Sequence, residues 1–324
     1  MKRSPGPLRA SRKMATLRWQ AAWTIAWTSV LLATLQAAAT VAPAAAASSS
    51  SYAAEIETWR AQRLTNLTSE NGWLTLVGLY WFKPGENSFG RAGDNALVLN
   101  NTALAPHAGT FQLEQRTVRF VAAPDAGISA NGQPVTKIVM APDTSGEPTM
   151  LASGSLRFYA IERVGHMGLR VRDTASPLRT HFKGLDYFPI DEHWAFHAQF
   201  HPYEPAKKVQ IVNVLGMVDT MTAPGYLAFT RDGHEWRLDA LLEDPQADEL
   251  FIMFADGTSG RETYGAGRFM YLELPKAGEV LLDFNKAYNP PCAFNEFATC
   301  PLPPRQNRLA LRVEAGEKSY KGEH

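Results

Sequence analysis

The residues best equipped for chemistry crowd into one stretch near the C-terminus, Asp283–Asn307. Its sequence, D-F-N-K-A-Y-N-P-P-C-A-F-N-E-F-A-T-C-P-L-P-P-R-Q-N, sets Asp283, Asn285, Tyr288, Asn289, Asn295 and Asn307 among Pro290-Pro291, Pro301 and Pro303-Pro304. Each proline fixes φ and removes a donor, so the stretch reads as an ordered loop that cannot continue a sheet. A stiff polar loop lowers the ordering cost of binding. Just upstream lie a cation, Arg268, and a phenol, Tyr264. Together these residues suggest a site for a small polar or anionic molecule. Arg268 would clamp an anionic group, Asp283 would accept a proton or orient a hydroxyl, and Asn285 and Asn289 would read polar edges. Tyr264 and Tyr288 complete the ligand-binding set. The competing reading is a structural clasp whose Asp and Asn side chains satisfy loop backbone.

Cys292 and Cys300 lie inside the same stretch. In an oxidising compartment a close pair is most simply a disulfide, and so short a loop adds only about 2.5 kcal/mol in the chain-entropy estimate. A thiol nucleophile or a metal site with imidazoles or Asp283 are the other readings, and the Cys-Cys spacing exceeds that of compact zinc sites. His193, His197 and His201 recur every four residues, which sets them one turn apart on a helix or all on one face of a strand. That face could ligate a metal or simply be exposed and polar. The glycine-rich run 256–268 precedes a strand pattern rather than a helix, so it reads as a β-turn connection and not a phosphate cradle. No nucleophile elbow, zincin or Walker pattern is present, and no cofactor is expected.

The N-terminus places the chain in the cell. Met1–Arg18 carries Lys2, Arg3, Arg9, Arg12, Lys13 and Arg18 and no acid, and no charge follows until Glu55. A basic start, an apolar segment and the small residues A-P-A-A-A-A-S-S-S-S read as a signal peptide over 1–47, with a periplasmic or secreted product and no stable membrane insertion after cleavage; the competing reading is a single N-terminal membrane anchor, which the Thr, Ser, Gln and Pro content disfavours. The chain has 32 basic and 32 acidic residues, so losing the signal leaves six more acids than bases. That acidic balance argues against nucleic acid as a partner. Hydrophobic content of 45% and charged content of 20% are ordinary for a globular chain with a sizeable core.

The elements that must hold these residues read mainly as β. Tyr52–Leu67 has Ile56, Trp59, Leu64 and Leu67 at helical spacing, and Asn71-Gly72 stops it. Beyond it, short apolar runs are divided by turn pairs such as Asn131-Gly132 and Asp232-Gly233. Phe111–Phe120 reads as one imperfectly alternating run, and Leu309–Val313 as a last strand. The expectation is a mainly β fold: a sandwich or barrel-like core of short antiparallel strands with an N-terminal α-helix, in a single domain over 48–324. A weak subdomain boundary is placed near 142–150.

Four motifs carry a resemblance. They are the 283–309 stretch, T-S-G-R-E-T-Y-G-A-G-R-F-M-Y before it, G-W-L-T-L-V-G-L-Y-W-F-K-P-G-E-N-S-F-G near the start, and R-V-R-D followed by F-K-G-L-D-Y-F-P. The chain thereby resembles the bacterial and archaeal family called domain of unknown function 1684 across nearly its whole mature length. The resemblance implies one continuous unit but no reaction. Family members expected in the cytosol resemble this chain in carrying both cysteines, which keeps the thiol and metal readings open. Three expectations follow: an exported protein that binds or hydrolyses a small ligand at the C-terminal loop, an envelope structural or interaction protein with that loop as a clasp, or a metal-dependent enzyme using Cys or His ligands.

Overall fold

The computed structural model describes residues 44–322. The expected signal peptide lies almost wholly outside them. The first element is α1 (Ala44–Thr68). From Tyr52 onward its inward stripe is Tyr52, Ile56, Trp59, Arg60, Arg63 and Leu67, a helical period. Leu64, expected on the buried side, is exposed. Arg60 and Arg63 take inward positions because their guanidinium groups lie 4.2 and 4.5 Å over the rings of Tyr187 and Tyr288. The chain reverses at Gly72, where a Cβ would sit 2.1 Å from the Leu67 carbonyl oxygen.

Eleven strands follow: β1 (Leu76–Trp81), β2 (Gly85–Gly90), β3 (Leu97–Val98), β4 (Gly109–Glu114), β5 (Thr117–Ala122), β6 (Ser129–Ala130), β7 (Gln133–Pro134), β8 (Lys137–Met140), β9 (Leu151–Ser153), β10 (Leu156–Arg163) and β11 (His166–Asp173). They form two sheets, ordered β1-β11-β10-β9-β6-β7 and β3-β2-β4-β5-β8. Phe89, Phe111, Phe120 and Phe158 are fully buried in one core with residues of both sheets. Each such side chain contributes about 1.5–3 kcal/mol by burial. Residues 142–150 link β8 to β9, whose Met140 and Leu151 belong to this same core. In β11, Met167, Leu169 and Val171 enter the core, and the pleat turns Arg170 and Arg172 to the opposite face.

A short helix α2 (Pro177–Thr180) leads to a third sheet. Its strands are β12 (Ala195–Val212), β13 (Val218–Arg231), β14 (His234–Leu242), β15 (Glu249–Phe254), β16 (Arg268–Glu273) and β17 (Glu279–Asp283), ordered β16-β15-β14-β13-β12-β17. It curls until it nearly closes as a barrel around Leu227, Leu238, Ile252, Phe254, Leu282 and Phe284. All pairings in these sheets are antiparallel except β2 with β3. The fold is mainly β, antiparallel, with an N-terminal helix, as the hydrophobic pattern predicts. Leu309–Val313 is not a regular strand. It runs beside the end of β15, with Leu309 N–H donating to the Ala255 carbonyl and Gly257 N–H to that of Leu311.

Candidate functional site

The polar side chains of the C-terminal stretch are turned inward. Asn285 is fully buried; its Nδ2 donates to the Tyr52 hydroxyl (2.8 Å) and the Asp191 carbonyl (2.9 Å), and its Oδ1 accepts from Asp191 N–H (3.1 Å). Asp283 Oδ1 accepts from the Tyr52 hydroxyl and from Asn285 N–H, both at 3.0 Å, and Lys286 Nζ lies 4.0 Å from Oδ2. Asn289 Nδ2 donates to the Lys318 carbonyl (2.7 Å), and its N–H to Glu317 Oε2 (2.7 Å). Asn307 bridges the Asp239 and Met253 carbonyls. Tyr264 donates to the Cys292 carbonyl at 3.1 Å. Arg268 is completely buried: it pairs with Asp256 at 3.2 Å and donates to the carbonyls of Val313 (2.9 Å) and Ala315. Burial lowers its pKa, and Asp256 opposes that shift.

Arg268 and Asp283, read from sequence as clamp and acid, therefore occupy separate networks. Each is engaged by the chain itself, and neither lines a cavity among those described. What the stretch does line is a cavity of about 570 Å³. One wall is Tyr288, Pro291, Thr299, Cys300 and Pro301 from the clasp; the second is Trp59 and Arg63 of α1; the third is Phe251, Phe269 and Tyr271 of β15 and β16. Trp73, Arg163, Arg170 and Glu243 complete it, with exposed Gln62, Asn66 and Asn71 also on the lining. The size and mixed lining suit a small ligand.

The three cationic side chains of this lining differ in what neutralises them. Arg163 forms a fork on Asp143 at 3.0 and 2.7 Å. Arg63 pairs with Glu317 at 2.9 Å; burial works against its charge, but Glu317 outweighs it and the pKa rises. Arg170 is 3% exposed and forms no ion pair among the described residues. Its Nη2 reaches Thr299 Oγ1 only at 3.4 Å, and its buried Nε has no hydrogen-bond partner. Burial lowers its pKa and nearby Arg163 adds to that, with Tyr159 and the Asp143 charge opposing. A buried guanidinium so placed favours an incoming anion. Glu243, the one carboxylate on the lining, instead accepts the Tyr271 hydroxyl at 2.7 Å.

A family profile described as "Protein of unknown function (DUF1684)" matches residues 180–318. An uncharacterised protein of Haloarcula marismortui, known from a solution NMR structure, is 33% identical; the match covers 43% of this chain and 78% of that one, with a TM-score of 0.37. The chain belongs to this family. A structure described as a functional analysis of phosphothreonine-dependent FHA domain interactions matches at 18% identity and a TM-score of 0.20, over 30% of this chain and 96% of that one. Among curated proteins none matches.

In this DUF1684 member Cys292 and Cys300 form a disulfide, so neither sulfur is left as a thiol ligand or nucleophile. The three histidines lie on the exposed face of β12 or just before it, each with its own neighbour: Asp191 at 2.7 Å for His193, Glu279 at 3.9 Å for His197, and the Tyr226 ring at 4.8 Å for His201. Among the described residues no cluster of three or more His, Cys, Asp or Glu side chains could hold a metal ion. Sequence reasoning missed Arg170, Trp59 and Trp73 as candidate site residues. The available signal was R-V-R-D within β11: arginines alternating with core residues on a strand whose far face proves to be covered.

Proposed function

We propose that this DUF1684 protein is an exported binding protein whose 570 Å³ cavity takes a small anionic molecule, with the clasp as one wall. The observation that carries the reading is Arg170, a buried guanidinium with no carboxylate partner among the described residues, on the lining of an aromatic cavity. In this reading clasp and site coincide: Tyr288, Pro291, Thr299, Cys300 and Pro301 line the cavity, while Asn285, Asn289 and Asn307 tie the stretch to the rest of the chain. The disulfide and the basic, then apolar, N-terminus support an oxidising, extracytoplasmic location.

Arg170→Met is the test. Replacing an unpaired buried charge by an apolar side chain of similar length should leave the unfolding temperature unchanged or raise it. The same variant should abolish the thermal stabilisation that small carboxylates give the wild-type protein. A variant that loses several degrees of stability and keeps its response to carboxylates would assign Arg170 to the scaffold and end this reading.

A further inference from the structure

The rest of the lining narrows the kind of anion. Phe251, Phe269, Tyr271 and Tyr288 already engage one another: Tyr271 stacks with Phe251 at 5.1 Å and with Tyr288 at 6.4 Å, and Phe269 meets Phe251 at 5.0 Å and Tyr288 at 6.2 Å edge to face. Trp59 and Trp73 differ from these. Neither indole pairs ring to ring with another aromatic among the described residues; Trp73 packs into the apolar clusters around it, and the guanidinium groups of Arg170 and Arg172 lie 6.0 and 5.5 Å from its ring. The turn bearing Trp73 is fixed by Arg172, whose Nη1 donates to the Gly72 carbonyl at 2.9 Å and to Thr75 Oγ1 at 3.2 Å. Two indoles and a guanidinium that forms no ion pair among the described residues therefore line the same space. Such a space is completed by a flat ring with one negative group. On the described lining the other two cations, Arg63 and Arg163, already hold Glu317 and Asp143, and Glu243 would repel a second negative charge.

We infer that the cavity binds an aromatic monocarboxylate, its carboxylate on Arg170 and Thr299 and its ring against Trp59 and Trp73. The inference rests on the anion-binding reading above and sharpens it to a chemical class.

Titration calorimetry on the purified mature chain tests it with named probes: phenylacetate, acetate, inorganic phosphate, phenylphosphonate and the neutral phenylacetamide. Phenylacetate should bind at least about tenfold more tightly than acetate, because the ring adds apolar burial and stacking. Phenylacetamide should bind at least about tenfold more weakly than phenylacetate, since it cannot neutralise Arg170. Trp59→Leu should weaken phenylacetate about fivefold or more and leave acetate within twofold, a split that a misfolded variant would not produce. If acetate or phosphate binds as tightly as phenylacetate, or phenylphosphonate binds more tightly, the aromatic monocarboxylate class is overturned while the anion site stands. If no probe binds, or phenylacetamide matches phenylacetate, both readings fall.

Discussion

Arg268 and Arg170 have the same chemistry and opposite surroundings, and the difference decides what each does. Arg268 is met by Asp256 and by the carbonyls of Val313 and Ala315, so its charge is spent on holding the last segment of chain to β15 and β16. Removing one partner of a buried pair leaves the other charge uncompensated, at a cost of about 3–5 kcal/mol. Arg268→Met should therefore lower the free energy of urea unfolding by about that amount, where Arg170→Met lowers it little or not at all. Equal losses for the two variants would contradict the separation of scaffold and site drawn here. The same contrast explains why the two were not distinguished in sequence. An arginine's role depends on whether a carboxylate arrives from elsewhere in the chain, and Asp256 and Glu317 are identified as partners only by the fold.

At the scale of elements, the turns show where sequence reasoning works and where it stops. Asn131-Gly132 and Asp232-Gly233 both take positive φ at their two central residues, 51° and 75°, then 53° and 73°, as their residue types demand. Val164-Gly165 makes the same kind of turn between β10 and β11, with Val164 at φ 49°. A β-branched residue there is strained by roughly 1–2 kcal/mol, and Val164 is 46% exposed, so no packing compensates. Val164→Asn should raise stability by about 1 kcal/mol, read as a higher urea midpoint with an unchanged slope. Gln115 also sits at positive φ, 55°, and divides Phe111–Phe120 into the β4–β5 hairpin, although Gln-Arg carries no turn signature. The run reads as one strand because its turn is imposed by the facing strands and not by its own residues. In α1 the miss has a different cause. Arg60 and Arg63 count as polar in any periodicity, yet the tyrosine faces beneath them make the inward positions the favourable ones. The candidate site was legible in part for this reason: its clasp wall is a contiguous motif, whereas its cation and tryptophans come from α1, the turn after it and β11.

For the described part of the molecule as a whole, a seam of tyrosines ties α1, the C-terminal clasp and the near-barrel sheet together. Tyr52 donates to Asp283, Tyr187 and Tyr288 lie under Arg60 and Arg63, and Tyr271 donates to Glu243. Burial raises the pKa of all four phenols above the ordinary value near 10. For Tyr288 the Arg63 charge opposes the shift without reversing it. The consequence for stability has a definite sign. Below pH 10 the phenols are protonated whether the chain is folded or unfolded, and they contribute no pH dependence. Above it the unfolded chain releases protons that the folded chain retains. The unfolded state then binds fewer protons, so stability must fall as pH rises towards the folded-state pKa values. Urea midpoints should accordingly change little on account of these groups from neutrality to about pH 9.5 and drop steeply beyond about pH 10. Lysines titrate in the same range, so Tyr288→Phe supplies the control: it removes one raised phenol, leaves every lysine in place, and should make the alkaline decline shallower. An unaltered slope in Tyr288→Phe would show that Tyr288 ionises freely in the folded protein and that the seam is open to water.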